Sequence, residues 1–521
     1  MWTTFNIQTL GDYADLYLKT DCLLLADVFL NFRQTCFEAY GLDAAHYYTA
    51  PGLSWDAMLR CTEVTLELLK DPDQYLFIER GIRGGLSQCM NRYAHASNPF
   101  TPDYQGGPWN CLMYFDVCNL YGYAMSQALP YCNFQWVDPL TTKWDVPDDS
   151  PVGYILEVDL EYPRALHDLH KDLPFCPKLT TPPGSKQKKL LATLYPKRRY
   201  VIHYRNLRQA IRHGLKLQYI HRILSFKQKP WLKVYIDKNT EYRKAATNDF
   251  VKNFFKLMNN SIYGKTMESV RKRIKVKLVQ KWDGRYGAEA YIAKPNFHSR
   301  AIFDEGLVAI KLSTTDVLLN KPMYAGFCIL DVSKTCVYDF HYTKMFSMFE
   351  PSQVKCLYTD TDSLVYDISH PNVYDVMKRH LDYFDTSDYE ECNVHSMPRV
   401  NKKKVGLMAD QFNGKIMTEF VGLRSKMYSV RVQGMNEMKK CKGIKTVIAK
   451  NHLTFQDYKK CLDEQWLKVC VQHLFRSRLH HLETIEQTKL ALSPHDDKRY
   501  VREGETDTLP WGHYNVPEQE S

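Results

Sequence analysis

A short acidic segment, Tyr358-Thr-Asp360-Thr-Asp362-Ser363, carries the residues of this chain best suited to chemistry. Its flanks alternate apolar and polar residues, which predicts two strands joined by a turn with both carboxylates at its tip. Close carboxylates repel each other unless a cation lies between them, and oxygen ligands without His or Cys favour Mg²⁺ or Mn²⁺. Phosphoryl transfer is a natural use of such a site. The alternative is a metal-free turn, because Asp is common in turns.

A second carboxylate ends an apolar segment, Cys111-Leu-Met-Tyr-Phe-Asp116, which has the pattern of a buried strand. Beside the acidic turn, Asp116 would complete a two-metal site. Such a site activates a 3′-hydroxyl and stabilises the leaving pyrophosphate in an in-line displacement. Tyr121 follows closely enough to wall the site and exclude a ribose 2′-hydroxyl. Core packing is the alternative for this ring, since the chain has 35 tyrosines.

The segment from Glu241 to Gly264 has the pattern of one amphipathic helix that ends near Gly264. Four polar or aromatic side chains share one face of this helix: Lys252, Lys256, Asn260 and Tyr263. Two ammonium groups and an amide can hold a triphosphate, and the ring can stack on a base pair. Ordinary surface lysines are the alternative.

A strand-like run near residue 426 places Lys426 and Tyr428 on one side of the chain. A cation and a phenol in this arrangement suit contact with a backbone phosphate and sugar of DNA. By itself the pattern is weak.

Positive charge is concentrated in two parts of the chain, although the net charge is only +10. Residues 178–244 hold 18 Lys and Arg against Asp237 and Glu241, and residues 401–450 hold 12 basic against 3 acidic side chains. A solvated basic face is the alternative, but so one-sided a block would repel itself without an anionic partner. Aromatic residues interleaved with the charge favour nucleic acid over a membrane surface.

Length and composition describe an intracellular globular protein. The 521 residues are enough for several buried cores, and 44% are hydrophobic. The most apolar run, from Cys22 to Leu30, is interrupted by Asp27 and cannot span a bilayer. The 15 cysteines are scattered and lack a Cys-X-X-Cys pair, so we expect reduced thiols.

Together, these motifs resemble those of family B DNA polymerases. Motif A corresponds to Asp116-X-X-Asn119-Leu-Tyr121, motif B to Lys256-X-X-X-Asn260-Ser-X-Tyr263-Gly264, and motif C to the acidic hairpin. They occur in the family's order, followed by Lys426-X-Tyr428. The chain is most similar to the protein-primed branch, as in bacteriophage and linear-plasmid replicases, and above all to Polinton/Maverick transposon polymerases. The resemblance covers essentially the whole chain.

The resemblance implies an α+β right-hand polymerase. It has an antiparallel-sheet palm, helical fingers and thumb, and the C-terminal remnant of a 3′–5′ exonuclease domain. By analogy, Asp116 and Asp362 bind two Mg²⁺ or Mn²⁺ ions with support from Asp360. The implied nucleotide-binding residues are Tyr121, Lys252, Lys256, Asn260, Tyr263 and Gly264. The implied DNA contacts are Arg83, Gly84, Gly85, Lys426 and Tyr428.

The resemblance also implies partners and a division of the chain. The partners are template-primer DNA, deoxynucleoside triphosphates and a terminal protein, bound by a monomer without membrane contact, in the nucleus if the source is a eukaryotic transposon. The parts are an exonuclease remnant (1–80), the first palm part (81–140), a basic insertion (141–238), fingers (239–266), a second insertion (267–305), the second palm part (306–454) and the thumb (455–521).

The sequence departs from the family pattern in three places. Asn119 and Gly122 stand where Ser and Pro are frequent, and Ile82 replaces a leading Tyr before Arg83-Gly84-Gly85. Tyr17-X-X-X-Asp21 matches the last of three exonuclease motifs, but only sixteen residues precede it. We therefore expect no proofreading by this chain, because one remaining carboxylate cannot hold two metal ions.

Other functions stay open from sequence alone. A decayed transposon remnant would bind DNA or a terminal protein without incorporating nucleotides. A reverse transcriptase or RNA polymerase shares the palm chemistry, whereas a metal-dependent nuclease needs no motif B helix.

Overall fold

The computed structural model describes residues 2–478, 481–502 and 504–517. Its helices are α1 Leu10–Tyr40, α2 Ala50–Thr62, α3 Pro72–Gly81, α4 Leu120–Met125, α5 Tyr204–Arg212, α6 Lys233–Ala245, α7 Asp249–Thr266, α8 Ala288–Ile292, α9 Met323–Asp339, α10 Phe346–Met348, α11 Val373–Arg379, α12 Thr446–His452 and α13 Phe455–Asp463. A π-helix, Phe340–Met345, continues α9.

The strands are β1 Ser87–Cys89, β2 Tyr93–His95, β3 Cys111–Val117, β4 Leu129–Val137, β5 Val152–Glu161, β6 Lys178–Thr180, β7 Lys189–Leu191, β8 Lys197–His203, β9 Lys216–Lys229, β10 Lys275–Val279, β11 Phe297–Asp304, β12 Leu307–Leu312, β13 Val354–Asp360, β14 Ser363–Ile368, β15 Phe384–Asp385, β16 Met408–Asp410, β17 Met417–Arg424, β18 Met427–Val432, β19 Met438–Cys441, β20 Lys468–Arg478, β21 His481–Leu492, β22 Tyr500–Val501 and β23 Thr508–Leu509.

A largely antiparallel sheet forms the centre of the molecule. Its strands run in the order β1-β13-β14-β3-β17-β18-β19, with β2, β15 and β16 joined at the sides. Neighbouring residues of β3 point to opposite faces, so Phe115 packs into one hydrophobic cluster and Tyr114 into another. The central strands are therefore buried on both sides. The expected α+β fold with an antiparallel palm is confirmed.

A layer of helices packs beside this sheet and shares one hydrophobic cluster drawn from α2, α6, α7 and α9. The Ser54 hydroxyl of α2 donates to the Met258 carbonyl oxygen of α7 at 2.6 Å. The single helix predicted from Glu241 to Gly264 is wrong. The chain instead breaks between α6 and α7, where the Asn248 side chain caps α7 by accepting from the Val251 N–H.

Two smaller sheets occupy the predicted insertions. The first has the strand order β4-β9-β5-β8 and carries α5. It begins at Leu129, earlier than the predicted 141, because β4 pairs with β9 rather than with the palm. The second has the order β10-β12-β11. It extends to Leu312, beyond the predicted 305, because β12 is its central strand.

The region 455–521 differs from the expected helical thumb. In its described part it contains α13, the long hairpin β20–β21, and a segment that returns to the palm. This C-terminal segment, residues 493–517, pairs with the palm at the bridge between Asn91 and Asp507. The hairpin and the C-terminal segment therefore occupy different places in the fold.

Helix α1 begins at a Thr9 capping box and ends at Gly41, whose φ of 66° suits a residue without a Cβ. Tyr17 and Asp21 lie on its exposed surface, and the Asp21 carboxylate raises the pKa of the Tyr17 phenol. Their assignment to an exonuclease motif stays a prediction. Among the described residues, no helix combines the length and hydropathy needed to cross a membrane.

Candidate active site

The acidic hairpin is built as predicted and is held from two sides. Asp360 pairs with Ser363 across a two-residue turn, and Thr361 in that turn has a φ of 68°. The Thr361 N–H donates to the Leu86 carbonyl oxygen at 2.8 Å. Gly85 lies so close to the turn that a Cβ there would overlap the Thr361 side chain. The glycine therefore permits the loop before β1 to support the hairpin tip.

Asp116 and Asp362 come together where β3 lies beside β14. Ser363 pairs with Asp116, and the Val117 N–H donates to the Asp362 carbonyl oxygen at 2.8 Å. Burial, and then the nearby Asp362 carboxylate, raise the pKa of Asp116 to about 7, whereas Lys256 acts in the opposite direction. Burial also raises the pKa of Asp362. The two carboxylates thus share a partly buried position in which both negative charges are costly.

Asp360 has a different environment from Asp362. Both of its carboxylate oxygens accept from the Lys426 ammonium group at 2.7 Å. The sequence predicted that Lys426 lies on a strand. In the structure it lies in the turn between β17 and β18, with a φ of 60°. Asp360 is therefore neutralised by a protein cation, and Asp116 and Asp362 form no ion pair among the described residues.

Tyr428 is only 3% exposed and lies beneath the hairpin. Its hydroxyl is 2.9 Å from the Tyr114 hydroxyl, and its ring centroid is 4.7 Å from that of Tyr358. The Tyr358 hydroxyl in turn accepts from the Lys426 N–H at 2.9 Å. Tyr428 thus packs beneath motif C and also lines one groove with Lys426, and its contact with DNA stays a prediction.

Helix α4 places Tyr121 against the motif B helix. Asn119 caps α4 with its side chain, which accepts from the Gly122 N–H at 3.2 Å. A Cβ at Gly122 would overlap that side chain, so the two departures from the family pattern form one structural unit. The ring centroids of Tyr121 and Tyr263 are 4.6 Å apart. Motifs A and B are therefore in direct contact.

The shared face of α7 is confirmed. Lys252, Lys256, Asn260 and Gly264 are exposed, and Tyr263 is half-buried. Lys256 lines a cleft of about 250 Å³ together with Asp116. Lys252, Asn260 and Gly264 do not line this cleft.

Two cations of the cleft were missed by the sequence analysis. Arg243 of α6 and Lys403 of the loop before β16 both line it. Arg243 lies in the segment that we had interpreted as the start of the motif B helix. Asn248 is a favourable helix-capping residue and marks the start of α7. This signal could have shown that Arg243 belongs to the preceding helix, α6.

Arg83 does not face the surface on which we expected it to contact DNA. Its guanidinium lies 3.7 Å from the centre of the Tyr200 ring and donates to the carbonyl oxygens of Gly81 and Val201. The Arg83 side chain therefore makes its contacts inside the protein, and the expectation that it contacts DNA is corrected. Gly84 and Gly85 are exposed beside the hairpin tip.

Many cations of the basic block 178–244 have partners within the protein. The fully buried Glu157 forms ion pairs with Arg80, Arg199 and Arg222. Further acidic partners of the block are Asp73, Asp148, Asp159 and Asp497. These ion pairs offset part of the positive charge of the block, and its contact with nucleic acid stays a prediction.

A second group of cations lines an open groove of about 350 Å³ at the edge of the palm. This lysine groove is lined by Lys426, Lys439, Lys440 and Lys442, beside Asp360. Lys440 and Lys442 are exposed, whereas Lys439 donates to the Lys450 carbonyl oxygen at 2.9 Å. The lysines of the groove therefore place positive charge next to Asp360 at the hairpin tip.

The donor chemistry of Asp116 and Asp362 fits divalent cations. Their carboxylates supply hard oxygen donors, and a cation would offset the repulsion that raises the pKa of Asp116. Among the described residues, no group of three His, Cys, Asp or Glu side chains could hold a metal ion. Additional ligands would therefore come from backbone, water or a bound phosphate.

The comparisons with known proteins agree with this geometry. Residues 11–343 match the family model described as DNA polymerase type B, organellar and viral. Phi29 DNA polymerase in an orthorhombic crystal form is similar in fold, with a TM-score of 0.60, 17% identity, and coverage of 93% of this chain and 73% of that one. Its ternary complex with primer-template DNA and incoming nucleotides gives a TM-score of 0.58, with the same identity and coverage. The search of curated proteins returned no match.

Proposed function

Because this chain belongs to the organellar and viral type B DNA polymerases, we propose that it joins deoxynucleotides to a primer 3′-hydroxyl at the cleft lined by Asp116 and Lys256, beside Asp362. The observation that carries this proposal is that motifs A, B and C meet there, although they are far apart in sequence. Template-directed DNA synthesis is the reaction of the family.

Asp116 and Asp362 are the residues that would hold two Mg²⁺ or Mn²⁺ ions. When bound, such ions supply Lewis-acid activation of the attacking hydroxyl and charge stabilisation of the leaving pyrophosphate. Asp360 has a supporting role, because Lys426 already holds both of its oxygens. This pairing fixes one side of the turn that carries Asp362.

The cations of the cleft orient the nucleotide. Lys256 and Arg243 attract the triphosphate, whereas Lys403, which also lines the cleft, is already paired with Asp388. Lys252 and Asn260 extend the same face of α7. The contacting rings of Tyr121 and Tyr263 form a wall against which the sugar and base of the nucleotide pack.

The metal-binding assignment is tested by primer extension with Asp116→Asn and Asp362→Asn. Each change keeps the side-chain volume but removes one charged oxygen, so we expect incorporation to fall by several orders of magnitude with Mg²⁺ or Mn²⁺. Asp367→Asn is the matched control, because Asp367 lies on β14 at the other end, opposite Leu112. Wild-type rates from the double Asp116/Asp362 variant would refute the assignment.

The proposed role of Tyr121 is tested by sugar selectivity. Tyr121→Ala removes the ring that would exclude a 2′-hydroxyl, so the preference for deoxynucleotides over ribonucleotides should fall at least tenfold. Tyr121→Phe keeps the ring and should keep the preference. The ratio of kcat/KM for the two nucleotide types measures the effect, and an unchanged ratio in Tyr121→Ala would assign the ring to packing alone.

We further propose protein priming, as expected for a replicase of a transposon or virus. The exposed rings of Tyr195 and Tyr219 on the first insertion are suited to contact a terminal protein. Tyr195→Ala with Tyr219→Ala should then reduce initiation on a protein hydroxyl more than extension of a DNA primer. Equal losses in both assays would argue against this contact.

A further inference from the structure

The C-terminal segment 493–517 reaches the edge of the candidate active site through Lys498. The Lys498 ammonium group donates to the Ser87 carbonyl oxygen at 2.7 Å. Ser87 lies on β1, directly opposite Asp360 of motif C. A residue only 23 positions from the end of the sequence is therefore held next to the hairpin tip.

The surroundings of Lys498 hold it in a defined place. The next residue, Arg499, is fully buried, and its guanidinium donates to the Lys171 carbonyl oxygen at 2.8 Å and to the Thr508 hydroxyl at 2.7 Å. The Thr508 N–H donates to the Met90 carbonyl oxygen just after β1. These contacts tie the C-terminal segment to both the palm and the first insertion, so little conformational freedom remains to be lost when Lys498 binds a ligand.

The charge around Lys498 is unbalanced. The acidic groups near Lys498 are the buried Asp496 and Asp360, and Lys426 already contacts both oxygens of Asp360. The Lys442 N–H donates to the Lys426 carbonyl oxygen at 3.0 Å, which brings a further lysine to the same edge. Lys498 is partly exposed and forms no ion pair among the described residues. At least two ammonium groups therefore remain available for an external anion.

We propose that Lys498 completes the lysine groove and binds a backbone phosphate of the primer strand close to its 3′ end. The phosphate backbone of a DNA strand carries regularly spaced negative charges, which match cations spread along a groove. Contacts with phosphates fix the position of a strand without reading its sequence. This assignment rests on the proposed function and names a DNA contact contributed by the C-terminal segment.

Lys498→Gln is the most informative variant. It removes the charge and keeps an N–H donor for the Ser87 carbonyl oxygen. Lys498→Arg keeps the charge, and Lys189→Met is a matched control because the Lys189 ammonium group is already paired with Asp497. Binding of a fluorescent primer-template is measured by anisotropy at several salt concentrations, and the kinetics of primer extension are measured on the same proteins. Thermal unfolding reports whether each variant is folded.

One lost phosphate contact should lower the slope of log K against log salt by about 0.9. We expect this change in Lys498→Gln, together with an increase of about fivefold in the KM for DNA and a kcat within twofold of wild type. Lys498→Arg and Lys189→Met should keep the wild-type slope. The assignment is overturned by an unchanged slope in Lys498→Gln, by an equal change in Lys189→Met, or by a loss confined to kcat. Wild-type protein that binds DNA but extends no primer would refute the proposed polymerase reaction and leave the binding test of Lys498 intact.

Discussion

The basic block 178–244 and the lysine groove have similar side chains but different electrostatic roles. In the block, buried or half-buried acidic residues such as Glu157 and Asp159 neutralise many of the arginines. In the groove, Lys440 and Lys442 are exposed and Asp360 is already paired with Lys426. A cation therefore indicates a binding surface only when its partners within the fold are known. Much of the arginine charge of the block is therefore less available than the sequence suggests.

The largest expected effect comes from removing the acid at the centre of the block. Glu157→Ala would leave Arg80, Arg199 and Arg222 without their shared buried partner, and should lower the free energy of unfolding by roughly 3–5 kcal/mol. Urea denaturation measures the loss. Glu161→Ala, a partly exposed position on the same strand, should change it by less than about 0.5 kcal/mol. Similar losses in both variants would mean that the block is not held together by internal pairing.

The next effect should appear in DNA binding rather than stability. Replacing Lys440 and Lys442 together by Ala removes two exposed cations, so affinity for primer-template DNA near physiological salt should fall by about thirtyfold. The matched change, Arg199→Gln with Arg222→Gln, removes two cations that are paired with Glu157 and should leave the salt dependence of binding unchanged. Anisotropy titrations distinguish the two pairs. A larger binding loss from the arginine pair would reverse the comparison.

A smaller effect is the pH dependence of stability that arises from His341, which lies where the first insertion meets the palm. Burial lowers the pKa of His341 to about 3, below its usual value of 6.5, so the unfolded chain binds a proton that the folded chain does not. Stability should therefore decrease as pH falls below 6.5. His341→Gln should remove about 2 kcal/mol of the loss between pH 6.5 and 5. Unfolding curves at both pH values test this.

Local sequence patterns predicted the surroundings of Asp116 and Asp362 well. Asp116 lies near the end of the apolar strand β3, Asp362 lies in the turn between β13 and β14, and the pairing of β3 with β14 brings them together as expected. The α7 face was also predictable from helical spacing. By contrast, the break at Asn248 was missed, because a short capping segment interrupts an otherwise continuous amphipathic pattern.

Contacts between distant parts of the chain could not be predicted in the same way. The burial of Arg83 depends on Tyr200, and the neutralisation of Arg222 depends on Glu157 and Asp73. Neither pairing leaves a signal in the spacing of residues. The same is true of Lys498, whose approach to β1 is set by the path of the C-terminal segment.

The close approach of Asn119 and Gly122 has a consequence for how this polymerase can evolve. A side chain at position 122 overlaps the Asn119 amide, so Gly122→Ala alone should displace α4 and the Tyr121 ring that it carries. With Asn119→Ser already in place, the same alanine meets a shorter side chain. We therefore expect the effect of a change at position 122 to depend on the residue at position 119.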